Sequence, residues 1–531
     1  MSGQASERQS VGALKRQGDP LLARVFAGLF GCFLGISLLK FGNPPIMEEW
    51  ASAPANVYEF VYGYPWPIGW AWWLLGPVAF LGILSADWRR TAPRWLLALP
   101  LIWFGWQCVA ATQTVDAELT KATLGHFAVC VLCFYLGFFG LGQIERLSTF
   151  LIGIFCGFLL MLAVGIDQHF GGLEQYRRYF FQQLYLYPHS HEVPAEFLKR
   201  ISSNRIFSTL FYPNALAGAL LLLLPIMLRE AGEWRDRLKI APRWLVCVAI
   251  AVLLIAAAWL YISNSKVGLI WVLVFGLAAL LSVPRWFLAG WLGIAALATL
   301  YWSGSKGGWL IMLFLGLVAL FGFRFNRKLK LILMAAILVA GLAGFFWKYS
   351  GFFQKGATSV SARLDYWHAA FQTAKAHPLF GTGPGTFFIP YQAIKRPESE
   401  SARLVHNDYL EQASDSGVVG AVVYAAFLVG GLTWALKGTI RETTPPEKET
   451  ASTLPMRAQS GKARASESRS AERVDWLLLT IWLGLLGWAL QSLLEFGLYI
   501  PALAWPAFAL LGCLGQRSAV PPRRGRQRPE Q

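Results

Sequence analysis

His406 stands where an imidazole could do chemistry. It lies in the run Arg403-Leu404-Val405-His406-Asn407-Asp408-Tyr409-Leu410-Glu411, just before an apolar stretch, and helical spacing there predicts that Arg403, His406, Asn407 and Leu410 share one face. An imidazole titrates near neutral pH, so a histidine beside a guanidinium could take a proton from a hydroxyl. Two further cations sit where polar segments approach apolar ones. Arg363 opens the polar stretch that ends at Gly420, and Arg205 precedes Ile206-Phe207-Ser208-Thr209-Leu210-Phe211-Tyr212-Pro213-Asn214, in which Pro213 and Asn214 interrupt an apolar run. Such a break is tolerated at membrane depth only where backbone lines a cavity.

A short repeat adds lysines to this set. Ser263-Asn264-Ser265-Lys266-Val267-Gly268 returns as Ser303-Gly304-Ser305-Lys306-Gly307-Gly308, placing Lys266 and Lys306 each at the mouth of a helix. Either copy alone reads as an interfacial lysine that snorkels. Two copies beside polar loops point to an anion site, because helix N-termini and ammonium groups both favour phosphate.

Other polar residues carry weaker signals. His368 and His377 read as ordinary exposed histidines, His189 and His191 lack a third metal ligand, and His126, inside an apolar run, reads as a buried polar contact. Asp408, Glu411 and Asp415 could hold a cation, but no D-x-D motif accompanies them, so a site without metal or cofactor is expected. Gly381-Thr382-Gly383-Pro384-Gly385 lacks the G-x-x-x-x-G-K-S/T pattern of a nucleotide loop and reads as a tight turn whose amides could approach an anion.

The elements that must position these residues are membrane helices. Of 531 residues 55% are apolar and 15% charged, with 24 Trp and 37 Phe, more oil than a water-soluble core could hide. A span needs about 20 apolar residues. Fourteen such runs occur, near 21–40, 66–86, 95–112, 122–143, 147–166, 208–228, 244–262, 267–283, 286–302, 307–323, 329–347, 416–436, 476–495 and 498–515; the expected range is 12–14 spans.

Charge orients them. With the N-terminus inside, inner segments hold 31 of the 47 Lys and Arg, and 12 of the 16 outer ones fall in two long loops, 167–207 and 348–415. Basic residues confined to loops between spans argue against nucleic acid as partner. All seven cysteines fall in apolar runs, so neither a disulfide frame nor a zinc site is indicated, and Cys130 and Cys133 read as packing. The first run is too long and too closely followed by others to be a cleaved signal.

The expected organisation is therefore a transmembrane bundle over 1–347, a large outer loop over 348–415, closing helices over 416–515 with a disordered inner loop at 437–475, and a basic inner tail over 516–531. The outer loops mix Trp, Tyr and Phe with charge and are expected to fold against the membrane.

These segments resemble the O-antigen ligase and O-antigen polymerase superfamily of bacterial inner-membrane glycosyltransferases. The likeness is strongest over Arg363–Gly420, in R-x-x-x-W, P-L-F-G-T-G-P-G-T-F and H-N-D-Y-L-E, and extends to 205–218, the S-x-S-K-x-G segments and E-F-G-L-Y-I-P-A-L-A-W-P. It implies an all-α, GT-C-like polytopic bundle with cytoplasmic termini and a periplasmic active site. It further implies transfer of a glycan from undecaprenyl-diphosphate to an acceptor hydroxyl, on lipid A core or another glycan, by a metal-independent inverting displacement. His406 would be the general base, and Arg205, Arg363, Arg403, Asn407 and one or both of Lys266 and Lys306 would bind diphosphate or glycan. Where the family commonly carries arginine after its T/S-x-S element, this chain has lysine, a point charge without the bidentate fork. A polymerase joining carrier-linked repeats is the alternative within the class; a lipid-linked glycan flippase is the alternative outside it. A flippase should place charge near the midplane of several spans, and few spans here do so.

Overall fold

The computed structural model describes residues 19–50, 53–62, 65–88, 92–142, 144–186, 202–210, 212–238, 285–323, 325–354, 358–397, 399–441 and 473–519. Its main elements are helices α1 (Leu21–Lys40), α2 (Trp70–Ser85), α3 (Arg94–Ala110), α4 (Ala117–Tyr135, prolonged by a π turn, Leu136–Leu141), α5 (Ser148–Asp167) and α6 (Leu173–Leu186). There follow α7 (Pro213–Leu238), α8 (Arg285–Ser303), α9 (Lys306–Gly322), α10 (Arg327–Gln354), α11 (Thr358–Ala376), α12 (Phe388–Ile394), α13 (Asp408–Thr439), α14 (Trp476–Gln491) and α15 (Pro501–Ala519). Among the described residues the strand content is one antiparallel pair, Ile440–Arg441 with Arg473–Val474.

The chain is thus an all-α polytopic bundle and a membrane protein. Seven of its described helices are long and apolar enough to cross a membrane, and four shorter apolar helices accompany them. Twelve of the fourteen expected runs coincide with helices; 244–262 and 267–283 lie outside the described residues, as do Lys266, His189, His191, nearly all of 437–475 and most of the tail.

Helix α15 is the axis of the bundle: every residue from Pro501 to Gln516 is buried. The tightest outer seam joins α1 to α5. A Cβ on Gly31 or Gly35 would strike the carbonyl oxygen of Phe150 or Gly153, and one on Gly153 or Gly157 would strike the backbone of Gly31 or Gly35. Two small-x-x-x-small faces therefore let the helices touch backbone to backbone, which is where association in lipid gains its van der Waals contact.

The polar stretch after α10 has a small core of its own, made by Tyr366, Ala369, Ala370, Phe387, Tyr391, Ala402 and Val405. Full burial of an aromatic here is worth about 1.5–3 kcal/mol against about 1–2 kcal/mol for each backbone residue ordered, so the stretch is held by this cluster together with its hydrogen bonds to the bundle. Helix α13 breaks within it, at Ser416 and Gly417 (φ +71°). Four of the groups at the break find partners: Thr382 and Gly383 amides donate to the Ser414 and Asp415 carbonyls (3.1 and 2.8 Å), the Trp106 indole to the Ser416 carbonyl (2.8 Å), and the Val418 amide to Pro378 (2.9 Å). The amides of the glycine turn thus meet the broken helix, where the sequence suggested that they could meet an anion.

Candidate active site

The expected helical face carrying Arg403, His406 and Asn407 does not form. Helix α13 starts at Asp408 because Asn407 caps it, its Oδ1 accepting the Tyr409 and Leu410 amides (3.0 and 3.1 Å). His406, one residue earlier, has φ +57°, a left-handed conformation that turns its side chain off the helix axis. Arg403 goes elsewhere, donating to the Ile46 carbonyl (3.3 Å) and lying 5.4 Å from the Phe388 ring centre.

His406 turns instead to Glu495. Its Nδ1 lies 2.9 Å from Glu495 Oε2, while Tyr366 stacks at 5.8 Å and Phe496 packs edge-on at 4.8 Å between ring centres. A carboxylate only accepts, so Nδ1 carries the proton. The Nε2 lone pair has no hydrogen-bond partner among the described residues.

Glu495 also gathers the cations. Its Oε1 accepts from Arg363, whose Nε donates to the Leu494 carbonyl (3.2 Å), and from Asn214 Nδ2 (2.6 Å). Asn214 in turn accepts Arg205 Nη2 at its Oδ1 (2.7 Å), and Arg205 Nε donates to the Ser303 carbonyl (2.7 Å). An arginine needs an acceptor and a carboxylate needs a donor, so the Asn214 amide has one orientation. Burial pushes the Glu495 carboxyl up, but His406 and Arg363 outweigh it and hold the group below its ordinary range. Burial lowers the Arg205 guanidinium, and Glu495 partly offsets this.

Lys306 joins from the start of α9, which Ser305 caps through the Gly308 amide. Its ammonium lies over Phe352 (3.9 Å) and Tyr349 (5.3 Å) and feels the charges of Arg205 and Arg363. Of the expected residues, Arg205, Lys306, Arg363 and His406 meet at one end of the bundle. Between Lys306's helix and Glu495 is a cavity of about 30 Å³, lined by Ser305, Gly307, Gly308, Arg363, Gln491, Leu494 and Glu495.

Three buried acids hold the loops that carry this cluster. Asp408 Oδ2 accepts the Leu498 amide (2.9 Å), Glu411 Oε2 the Val405 amide (3.2 Å), and Asp415 Oδ2 the Gly385 amide and the Tyr499 hydroxyl (both 2.7 Å). One acid thus serves the turn of Glu495, one the loop of His406 and one the glycine turn. His126 completes the first of these: its Nε2 meets the Leu498 carbonyl (2.8 Å) and its Nδ1 accepts the Trp505 indole (3.0 Å), a satisfied buried contact as expected.

Glu495 and Asn214 were not among the residues singled out as site residues. The only sequence signals were a lone carboxylate closing an apolar run and an Asn after the helix-breaking Pro213.

Comparison with known families gives a match over part of the chain. Residues 291–425, about a quarter of the chain, match the family described as O-Antigen ligase, which places this stretch in the O-antigen ligase and polymerase superfamily of membrane glycosyltransferases. The match contains Lys306, Arg363, Arg403, His406 and Asn407; Arg205 and Glu495 lie outside it. No curated protein matches the chain.

Proposed function

We propose that this membrane glycosyltransferase moves a glycan from undecaprenyl-diphosphate to an acceptor hydroxyl at the periplasmic face of the bacterial inner membrane, as an O-antigen ligase does. The observation that carries the reading is the His406 imidazole, held at Nδ1 by Glu495 with Nε2 left open, while Arg363 holds the other oxygen of the same carboxylate.

The chemistry needs little more. The acceptor oxygen gives its proton to His406 Nε2 as it bonds to the anomeric carbon, and the bond from that carbon to the phosphate oxygen breaks with inversion. The leaving diphosphate keeps the electron pair, and Arg205, Arg363 and Lys306 take up its charge. With three cations at the leaving group, the step calls on no metal. Lys266 remains a candidate for the same task.

Lipid A core or another surface glycan is the acceptor on this reading. A polymerase would use the same step with a carrier-linked acceptor, and deletion of the gene separates the two: loss of a ligase strands polymer on its carrier, loss of a polymerase leaves single repeats on the acceptor. Purified protein given a synthetic undecaprenyl-diphosphate sugar and an acceptor should release carrier diphosphate, and His406→Ala should abolish release. Movement of the lipid-linked glycan without turnover would replace this reading with a flippase.

A further inference from the structure

Glu495 takes no part in the bond changes above, yet its carboxylate is where the site's donors meet. Oε1 accepts from Arg363 and from the Asn214 amide that also holds Arg205; Oε2 holds His406. Glu495 is 8% exposed, so these contacts, not water, carry its charge.

A diphosphate needs the same donors. The neighbouring cavity, about 30 Å³, has room for one water and not for a diphosphate. A donor therefore cannot reach Arg363 on this side while Glu495 Oε1 keeps its place.

We propose that Glu495 is a placeholder and a positioning residue: it occupies the diphosphate's seat until the donor binds, and when the donor takes Arg363 and Asn214 it stays with His406 and fixes the Nδ1 proton. This rests on the glycan-transfer reading. Two consequences of opposite sign follow. The carboxylate speeds proton removal by holding the tautomer and balancing the imidazolium as it forms. It also weakens diphosphate binding, both by competing for its partners and by like-charge repulsion, which helps the carrier leave.

The test is Glu495→Gln beside Glu495→Asp, in detergent-solubilised full-length protein shown to be folded by circular dichroism and gel filtration. Binding of undecaprenyl diphosphate alone is measured first. Glu495→Gln should bind it at least about threefold more tightly than the parent, and Glu495→Asp, which keeps the charge, no more tightly than the parent. Turnover is measured next: kcat should fall by about 10²-fold or more in Glu495→Gln while the donor KM falls, and Glu495→Asp should recover part of kcat. A residue that merely props the fold would lose carrier affinity in both variants, and that result overturns the placeholder. Tighter binding by Glu495→Gln in a protein that never releases carrier diphosphate would keep the placeholder and sink the transferase reading instead.

Discussion

Asp408 accepts the backbone N–H of Leu498 at 2.9 Å, ninety residues along the chain. That bond ties the first residue of α13, two after His406, to the turn that carries Glu495. His126 holds the same residue at its other backbone group, the Leu498 carbonyl. The distance between the His406 imidazole and the Glu495 carboxylate is therefore governed in part by Asp408 and His126, which hold the turn after Glu495.

Asp408 gives the first prediction. Asp408→Asn keeps the oxygen that accepts the Leu498 amide, so folding and turnover should be largely preserved. Asp408→Ala leaves the Leu498 amide buried and unanswered, at about 1–3 kcal/mol. Thermal unfolding in detergent should show a lower midpoint for the alanine variant alone, and carrier release should fall with it. Equal loss in both variants would show that the negative charge, rather than the accepted hydrogen bond, is what matters.

His406 gives the second. Its φ of +57° penalises most replacements, but asparagine tolerates that conformation and its amide can still donate to Glu495. His406→Asn should therefore unfold within a few degrees of the parent while carrier release drops by about 10²- to 10⁴-fold. Activity near the parent's would remove the imidazole from the reaction.

Acidity tests the ion cluster. Glu495 is held below its ordinary value of 4.5, so its contribution to stability is fully present above that value and is lost as pH falls through the lower, folded one. The advantage in unfolding midpoint of the parent over Glu495→Gln should not shrink between about pH 7 and pH 5 and should be lost only below that range. A difference that faded already between pH 7 and pH 5 would mean that Glu495 takes up its proton there and is not held by His406 and Arg363.

Hydropathy made most of the bundle legible. Runs of apolar residues marked twelve helices, although α7, α10 and α13 extend well past their runs, because a spanning helix must satisfy its own backbone and cover itself in oil. The seam of Gly31, Gly35, Gly153 and Gly157 was not singled out: the four-residue spacing is there, but nothing in one sequence says which helix meets which. The start of α13 was misjudged for a local reason. Asn407 followed by Asp408 and Glu411 is a helix-start signature, and it puts His406 and Arg403 outside the helix. Glu495 was out of reach for a different reason: it looks like an interfacial acid until a residue 89 positions earlier is folded against it.

Asn214 gives the last prediction, and it turns on counting donors. The amide presents one oxygen to Arg205 and one N–H to Glu495, so it links a cation to an anion that do not touch directly. Asn214→Asp keeps the oxygen for Arg205 but faces Glu495 with a second carboxylate, replacing a hydrogen bond by repulsion between like charges in a part-buried site. Asn214→Ala removes both bonds without adding charge. The aspartate variant should thus unfold at a lower temperature than the alanine variant near pH 7, although it is closer in shape to the parent, and lowering the pH should narrow the gap as one of the two carboxylates takes a proton. If the aspartate variant proves the more stable at neutral pH, Arg205 alone would account for the position, and the chain of contacts from Arg205 through Asn214 to Glu495 would not act as a unit.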